Sequence, residues 1–233
     1  MAEVLLVSED PTILNLLADG AQRLKSAIGA AGLADIAQAL AGQPVDLAGI
    51  RLRGIASLRE LLAQTGLLGR IAATHLGAKN RAVRAILFDK TPQTNWSLPW
   101  HQDRTIAVTE RIEFEGFGPW TVKSGMLHVA PPYDVLARML TMRVHLDAVP
   151  RTNAPLLIAP GSHRLGRIAE ADIADVVRRC GSVACLAGAG DIWLYATPIL
   201  HASEAAVAAG HRRVLQIDFS ADELPGGLQW LGV

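Results

Sequence analysis

The chain has 233 residues, 50% of them hydrophobic and 19% charged, which is enough apolar material for a sizeable core and too little charge for a disordered chain. Its 22 basic and 22 acidic residues cancel and are spread without runs, so the electrostatic footprint of a nucleic-acid or anionic-membrane binder is missing and a small-molecule partner is expected. No run reaches the ~18 apolar residues of a membrane span. The apolar patch at residues 4–7 is too short for a signal peptide, and Cys180 and Cys185 match no zinc or redox spacing. A cytoplasmic protein with reduced thiols is the expectation.

Over residues 1–80 the segments TILNLLADGAQRLKSAIGAAG, ADIAQALAG and SLRELLAQTGLLGRIAATHLG carry apolar residues three and four apart, which predicts helices broken at glycines and at Gln43-Pro44. From Arg81 onward the texture changes to short alternating or β-branched runs: AVRAILF, RTIAV, MLTMRVHLDAV, APLLIAP, DIWLYA and RRVLQIDF, separated by Gly, Pro and Asn turns. One helix, EADIADVVRRC, interrupts them. Many short strands without alternating helices predict an antiparallel sandwich or barrel. The expected fold is mostly β with flanking helices (α+β): a jelly-roll core over residues 81–233, with a largely helical elaboration over 1–80 packed outside it, in a single domain. Residues 109–136 are expected to form an inserted loop or hairpin over the cavity mouth, carrying Trp120, Lys123 and His128 as candidate substrate contacts.

Within LPWHQDRTIAV, read as one strand, His101 and Asp103 share a face while Gln102 turns away. Thr105 and Ala107 continue that face with short side chains that leave room beside an ion. The spacing alone is weak, because His145 and Asp147 repeat it 44 residues later. On that second strand Thr141, Arg143, His145 and Asp147 share one face, either a solvent face or the wall of a polar cavity. A mononuclear non-haem iron centre needs two histidines and one carboxylate, with positions left open for substrate and oxygen. His201 is the strongest candidate for the second histidine, and Arg212 follows it by eleven residues. In the last strand Arg212 shares a face with Val214 and Gln216 and is suited to clamp a carboxylate, whereas Arg213 faces the other way.

Four pieces in this order resemble the phytanoyl-CoA dioxygenases, a branch of the Fe(II)- and 2-oxoglutarate-dependent oxygenases: LPWHQD, NAPLLIAPGSHRLG, GAGDIWLY, and HAS with its Arg eleven residues on. The likeness covers roughly residues 84 to 219. It implies a double-stranded β-helix (cupin-like jelly roll) and iron ligation by His101, Asp103 and His201, with His145 and Asp147 left to supporting roles. It also implies 2-oxoglutarate binding by Arg212 and Ser203, with Gln102 as a further contact; Arg143, on the polar strand face, is another candidate for the co-substrate. Asp103 in the carboxylate position speaks against the related halogenases, which need that coordination site for chloride. The implied activity is hydroxylation of an unidentified small molecule with Fe(II), 2-oxoglutarate and O2, releasing succinate and CO2; the alternative is a non-catalytic jelly-roll metal- or 2-oxoglutarate-binding sensor. The sequence departs from the family at Asn153-Ala154, where an Asn-Gly turn is usual, and lacks the Asn often found a few residues after the distal histidine.

Overall fold

The computed structural model describes residues 14–44, 47–208 and 210–233. The apolar patch at residues 4–7 and the first two residues of TILNLLADG lie outside the described residues. Helix α1 (Leu16–Asp19) is a single turn, because Asn15 caps it by accepting from the Leu17 and Ala18 amides and Gly20, at φ 77°, ends it in the left-handed conformation. The helix expected to run on through this segment therefore stops, and the chain turns into strand β1 (Ala21–Leu24). That strand pairs antiparallel with β11 (Ile192–Ala196), anchored by Arg23 on Asp191 at 2.5 Å. Sheet pairing across 170 residues of sequence overrides the local helical spacing of AQRL.

Helices α2 (Ala30–Ala39), α3 (Ala56–Leu62) and α4 (Leu67–Leu76) form where the apolar spacing predicts them. Between α2 and α3 lies a strand that the spacing does not signal, β2 (Gly49–Leu52), paired with β3 (Arg81–Lys90). With β8 (Leu140–His145) and β13 (Arg212–Ser220) these strands make a six-stranded sheet in the order β1-β11-β8-β13-β3-β2. One face of it, including Met142, Val144, Leu194, Leu215 and Ile217, packs against Ile36, Leu58 and Leu68 of the helices. Each such fully buried side chain contributes about 1.5–3 kcal/mol.

Facing the major sheet is a four-stranded sheet in the order β10-β9-β12-β4, formed by β10 (Val183–Cys185), β9 (Leu156–Ile158), β12 (His201–Ser203) and β4 (Leu98–His101). Trp193, Tyr195, Ile158 and Cys185 fill part of the space between the sheets. Helix α6 (Ile173–Cys180) packs through Val176 and Val177 with Trp100 and Leu200. LPWHQDRTIAV is not one strand: β4 ends at His101, and β5 (Ile106–Ala107) belongs to a third sheet with β7 (Met126–Val129) and β6 (Trp120–Lys123). The stretch 109–136 contains the β6–β7 hairpin and most of the short helix α5 (Tyr133–Ala137). This is a jelly roll of antiparallel sheets with helices on its outer face. No helix among the described residues is long and apolar enough to cross a membrane.

Candidate metal centre

Because side chains alternate along a strand, the helix-facing residues of β13 and β8 oblige Arg212, Gln216, Asp218, Thr141, Arg143 and His145 to point into the barrel. The polar face of MLTMRVHLDAV is thus a cavity wall. On β3 the same parity turns Arg84 and Lys90 inward. Cross-strand register sets Asp218 opposite both Arg84 and Thr141, Gln216 opposite Arg143, and Arg212 opposite Lys90.

The minor sheet supplies groups that could hold a metal ion. His101 and His201 are direct partners in the β4–β12 register, with ring centroids 4.3 Å apart. Although Asp103 lies beyond the end of β4, the chain brings its carboxylate to both imidazoles, and one ligand atom from each of the three residues lies within 4.8 Å of the others. Each imidazole is oriented from behind: Nδ1 of His101 donates to the Pro99 carbonyl at 2.8 Å and Nδ1 of His201 to the Ile199 carbonyl at 3.0 Å. Both Nε2 lone pairs are left for a cation. Burial pushes the His201 imidazole down to about 4, so it is neutral and competent as a ligand at pH 7.

Asp103 is braced by Arg84, which donates to its Oδ2 at 3.0 Å and to Asp218 at 2.5 Å, while Asp218 accepts from Thr141 at 3.0 Å. Burial alone would raise the Asp103 carboxyl, but Arg84 foremost, then His201 and His101, hold it below the usual carboxylate range. Neither Arg84 nor Asp218 figures among the sequence candidates. The available signal was the alternation of RAVRAILFDK, which places Arg84 on one face with Ile86, Phe88 and Lys90.

Gln102, expected to touch the co-substrate, is instead a brace. Its amide donates to the Pro198 carbonyl at 2.8 Å and the Gly166 carbonyl at 3.1 Å and accepts from the Ile168 amide at 2.9 Å. The PGSH stretch works in the same way on the other histidine segment, because Ser162 Oγ accepts from the Leu200 amide at 2.9 Å, immediately before His201. Together these bonds lock both histidine-bearing segments to one loop.

Deeper between the sheets lie three buried cations, Lys90, Arg143 and Arg212. Lys90 Nζ donates to Ser203 Oγ at 3.0 Å, Arg143 to Gln216 at 2.7 Å, and Arg212 to the Ala154 carbonyl. None of the three pairs with a described carboxylate, and Nε of Arg143 and of Arg212 is buried without a partner. Burial, then Arg212 and Arg143, push the Lys90 ammonium down to about 7. Uncompensated buried charge costs several kcal/mol per ion, so this cluster is chemically suited to an anion. Ala154 at φ 49° holds the left-handed conformation that the family's glycine would adopt freely, and its carbonyl faces Arg212.

The duplicate pair divides. His145 is buried beside Arg143 and Arg212 with both ring nitrogens unpartnered, and burial lowers its imidazole to about 3. Asp147 accepts from Arg213 at 2.7 and 2.9 Å. Of the hairpin residues, the β6–β7 register puts Lys123 and His128 on one face and Trp120 on the other. Trp120 packs there with Ile106 and Val129 as an anchor.

Comparison with known proteins adds the lineage. The sequence profile of the phytanoyl-CoA dioxygenase (PhyH) family matches residues 62–214, more than half of the chain. The chain belongs to this family. No curated protein matches it in sequence. Among solved structures, EctD from S. alaskensis in its apoform is 21% identical, covering 91% of this chain and 79% of that one, with a TM-score of 0.63. HygX from Streptomyces hygroscopicus, with nickel and 2-oxoglutarate bound, is 12% identical over 88% of this chain and 84% of its own, with a TM-score of 0.58. The epimerase SnoN from nogalamycin biosynthesis is 16% identical over 91% and 85%, with a TM-score of 0.61. At such identities these neighbours establish a shared fold, which for this phytanoyl-CoA dioxygenase family member is the jelly roll described above.

Proposed function

We propose that this chain is an Fe(II)- and 2-oxoglutarate-dependent dioxygenase that hydroxylates a small molecule. One observation carries the reading: two histidine Nε2 atoms and a carboxylate converge beside a buried, unneutralised cation cluster. Two nitrogens and one oxygen suit ferrous iron and leave coordination positions open. A dianion that chelates at one end and carries a carboxylate at the other suits both halves of the cavity. Arg212, with Lys90 and Ser203, would take the far carboxylate of 2-oxoglutarate, and Arg143 with Gln216 flanks it. When bound, iron and 2-oxoglutarate supply an oxygen-driven oxidation that ends in succinate, CO2 and an oxidised substrate.

The chain's own residues do the rest. Arg84 and Asp218 hold Asp103 in one orientation, the Pro99 and Ile199 carbonyls fix both imidazole tautomers, and Tyr195 and Phe88 help keep the interior dry. HygX, crystallised with nickel and 2-oxoglutarate, supports the cofactor pair. Hydroxylation is the outcome we assign, in a fold that also serves an epimerase. The reducing cytoplasm, which keeps iron ferrous, is the proposed setting. Anaerobic Fe(II) titration tests the ligand set: His101→Ala should lose at least tenfold in affinity while His145→Ala keeps it. Unchanged affinity in His101→Ala together with loss in His145→Ala would mean that the wrong pair has been chosen.

A further inference from the structure

The β6–β7 hairpin and the neighbouring β2 edge carry a second group of unpaired charges, separate from the co-substrate cluster. Lys123, at the end of β6, donates to Thr105 Oγ1 at 3.1 Å. Thr105 lies two residues after Asp103, a span of at most about 7 Å, so Lys123 sits at the edge of the metal centre. Arg51, on the β2 edge of the major sheet, donates to Ser124 Oγ at the hairpin tip at 3.2 Å, and its Nε is buried without a partner. Neither cation makes an ion pair with a described carboxylate, and Arg84 beside them is already engaged by Asp103 and Asp218. Burial first, then the charge of Arg84, draws both Arg51 and Lys123 below their ordinary values, with Asp103 opposing the shift in each.

His128 shares the hairpin face with Lys123 and is 0% exposed. Its Nδ1 donates to the Met126 carbonyl at 2.9 Å, which leaves Nε2 as a buried lone pair with no donor to satisfy it. A buried acceptor left unsatisfied is costly. The β2 edge and the hairpin thus bring together two cationic donors and, buried on the Lys123 face of the hairpin, one acceptor without a donor.

We propose that the substrate is a small organic acid bound between β2 and the β6–β7 hairpin, its anionic group taken by Arg51 and Lys123 while an O–H or N–H of the same molecule donates to Nε2 of His128. Only the word substrate rests on the oxygenase reading; the anion site stands on its own contacts. A carboxylate and a phosphate monoester offer these donors the same chemistry. The test is calorimetric titration under nitrogen of protein saturated with Fe(II) and 2-oxoglutarate. The probes are short hydroxycarboxylic acids, their deoxy counterparts, their methyl esters and the matching phosphate monoesters.

At least one anionic series should bind tenfold or more tightly than the uncharged esters, and the tighter series identifies the anionic group. Arg51→Gln and Lys123→Ala should each abolish that preference, and Lys123→Arg should restore it. His128→Leu should erase the advantage of hydroxy over deoxy acids while leaving the anion preference in place. Equal binding of acids and esters by the wild type overturns the proposal. So does a preference that survives both cation variants in protein with a wild-type melting curve. If the wild type takes up neither Fe(II) nor 2-oxoglutarate, the oxygenase reading fails, and the same titrations on the metal-free chain still decide the anion site.

Discussion

Lys90 is 0% exposed, sits on its strand directly opposite Arg212, and shares its pocket with Arg143, so its ammonium is held at about 7 against an ordinary 10.5. Two consequences of opposite sign follow. In the ligand-free protein the unfolded chain binds more protons than the folded one between about pH 7 and 10.5, so this group makes stability rise with pH across that window, by up to about 1.4 kcal/mol per unit. A bound dicarboxylate favours the protonated form, so binding at pH 8 should draw in a proton. Affinity for 2-oxoglutarate should then fall from pH 7 to 9, by as much as about tenfold per unit. Calorimetry in buffers of different ionisation enthalpy measures the uptake directly, and Lys90→Met should both weaken binding and flatten its pH dependence. A flat profile in the wild type would remove Lys90 from the co-substrate site. At this scale the sequence was informative where parity decided the matter, as with Arg212 inward and Arg213 outward. It was silent on Lys90, Arg84 and Asp218, because their roles come from cross-strand partners more than 100 residues away.

Local periodicity located α2, α3, α4 and α6 and the longer strands, each of which carries its own apolar repeat. It failed at β1 and β2, the two edges of the major sheet. Four-residue edge strands hold too few side chains to display a period, and their conformation is set by the main chain of a distant neighbour. Gly20 is the hinge of the first error, since the helical spacing around it runs on while its positive φ stops the helix. A Cβ at Gly20 would also collide with Nδ1 of His163. Gly20→Ala should therefore cost roughly 1–3 kcal/mol, read as a lower denaturant midpoint, with faster amide exchange concentrated in Ala21–Leu24. An unchanged midpoint would mean that the α1–β1 junction is not strained by a side chain. The break of LPWHQDRTIAV after His101 was likewise hidden, because the side-chain bonds of Gln102 to the Gly166–Ile168 loop, rather than any local breaker, take the chain out of the minor sheet.

The molecule as a whole divides its labour between two sheets. The minor sheet and its adjoining loop bring together His101, Asp103 and His201, while the major sheet lines the interior with Lys90, Arg143 and Arg212. Ser203 and Lys90 join the two sheets through one hydrogen bond. The jelly roll and the convergence of His101, Asp103 and His201 were legible because motif order and strand texture are properties of the chain itself. The substrate was not, because its wall is assembled from β2, the hairpin and the metal edge, which only folding brings together. If these residues support turnover of 2-oxoglutarate, the Fe(II)-loaded protein in air, supplied with organic acids, forms succinate from it. Wild-type protein should release succinate in an Fe(II)- and oxygen-dependent manner, and His101→Ala should release none above background. Bound 2-oxoglutarate returned intact across the whole panel would contradict this and leave a metal-binding sensor in its place.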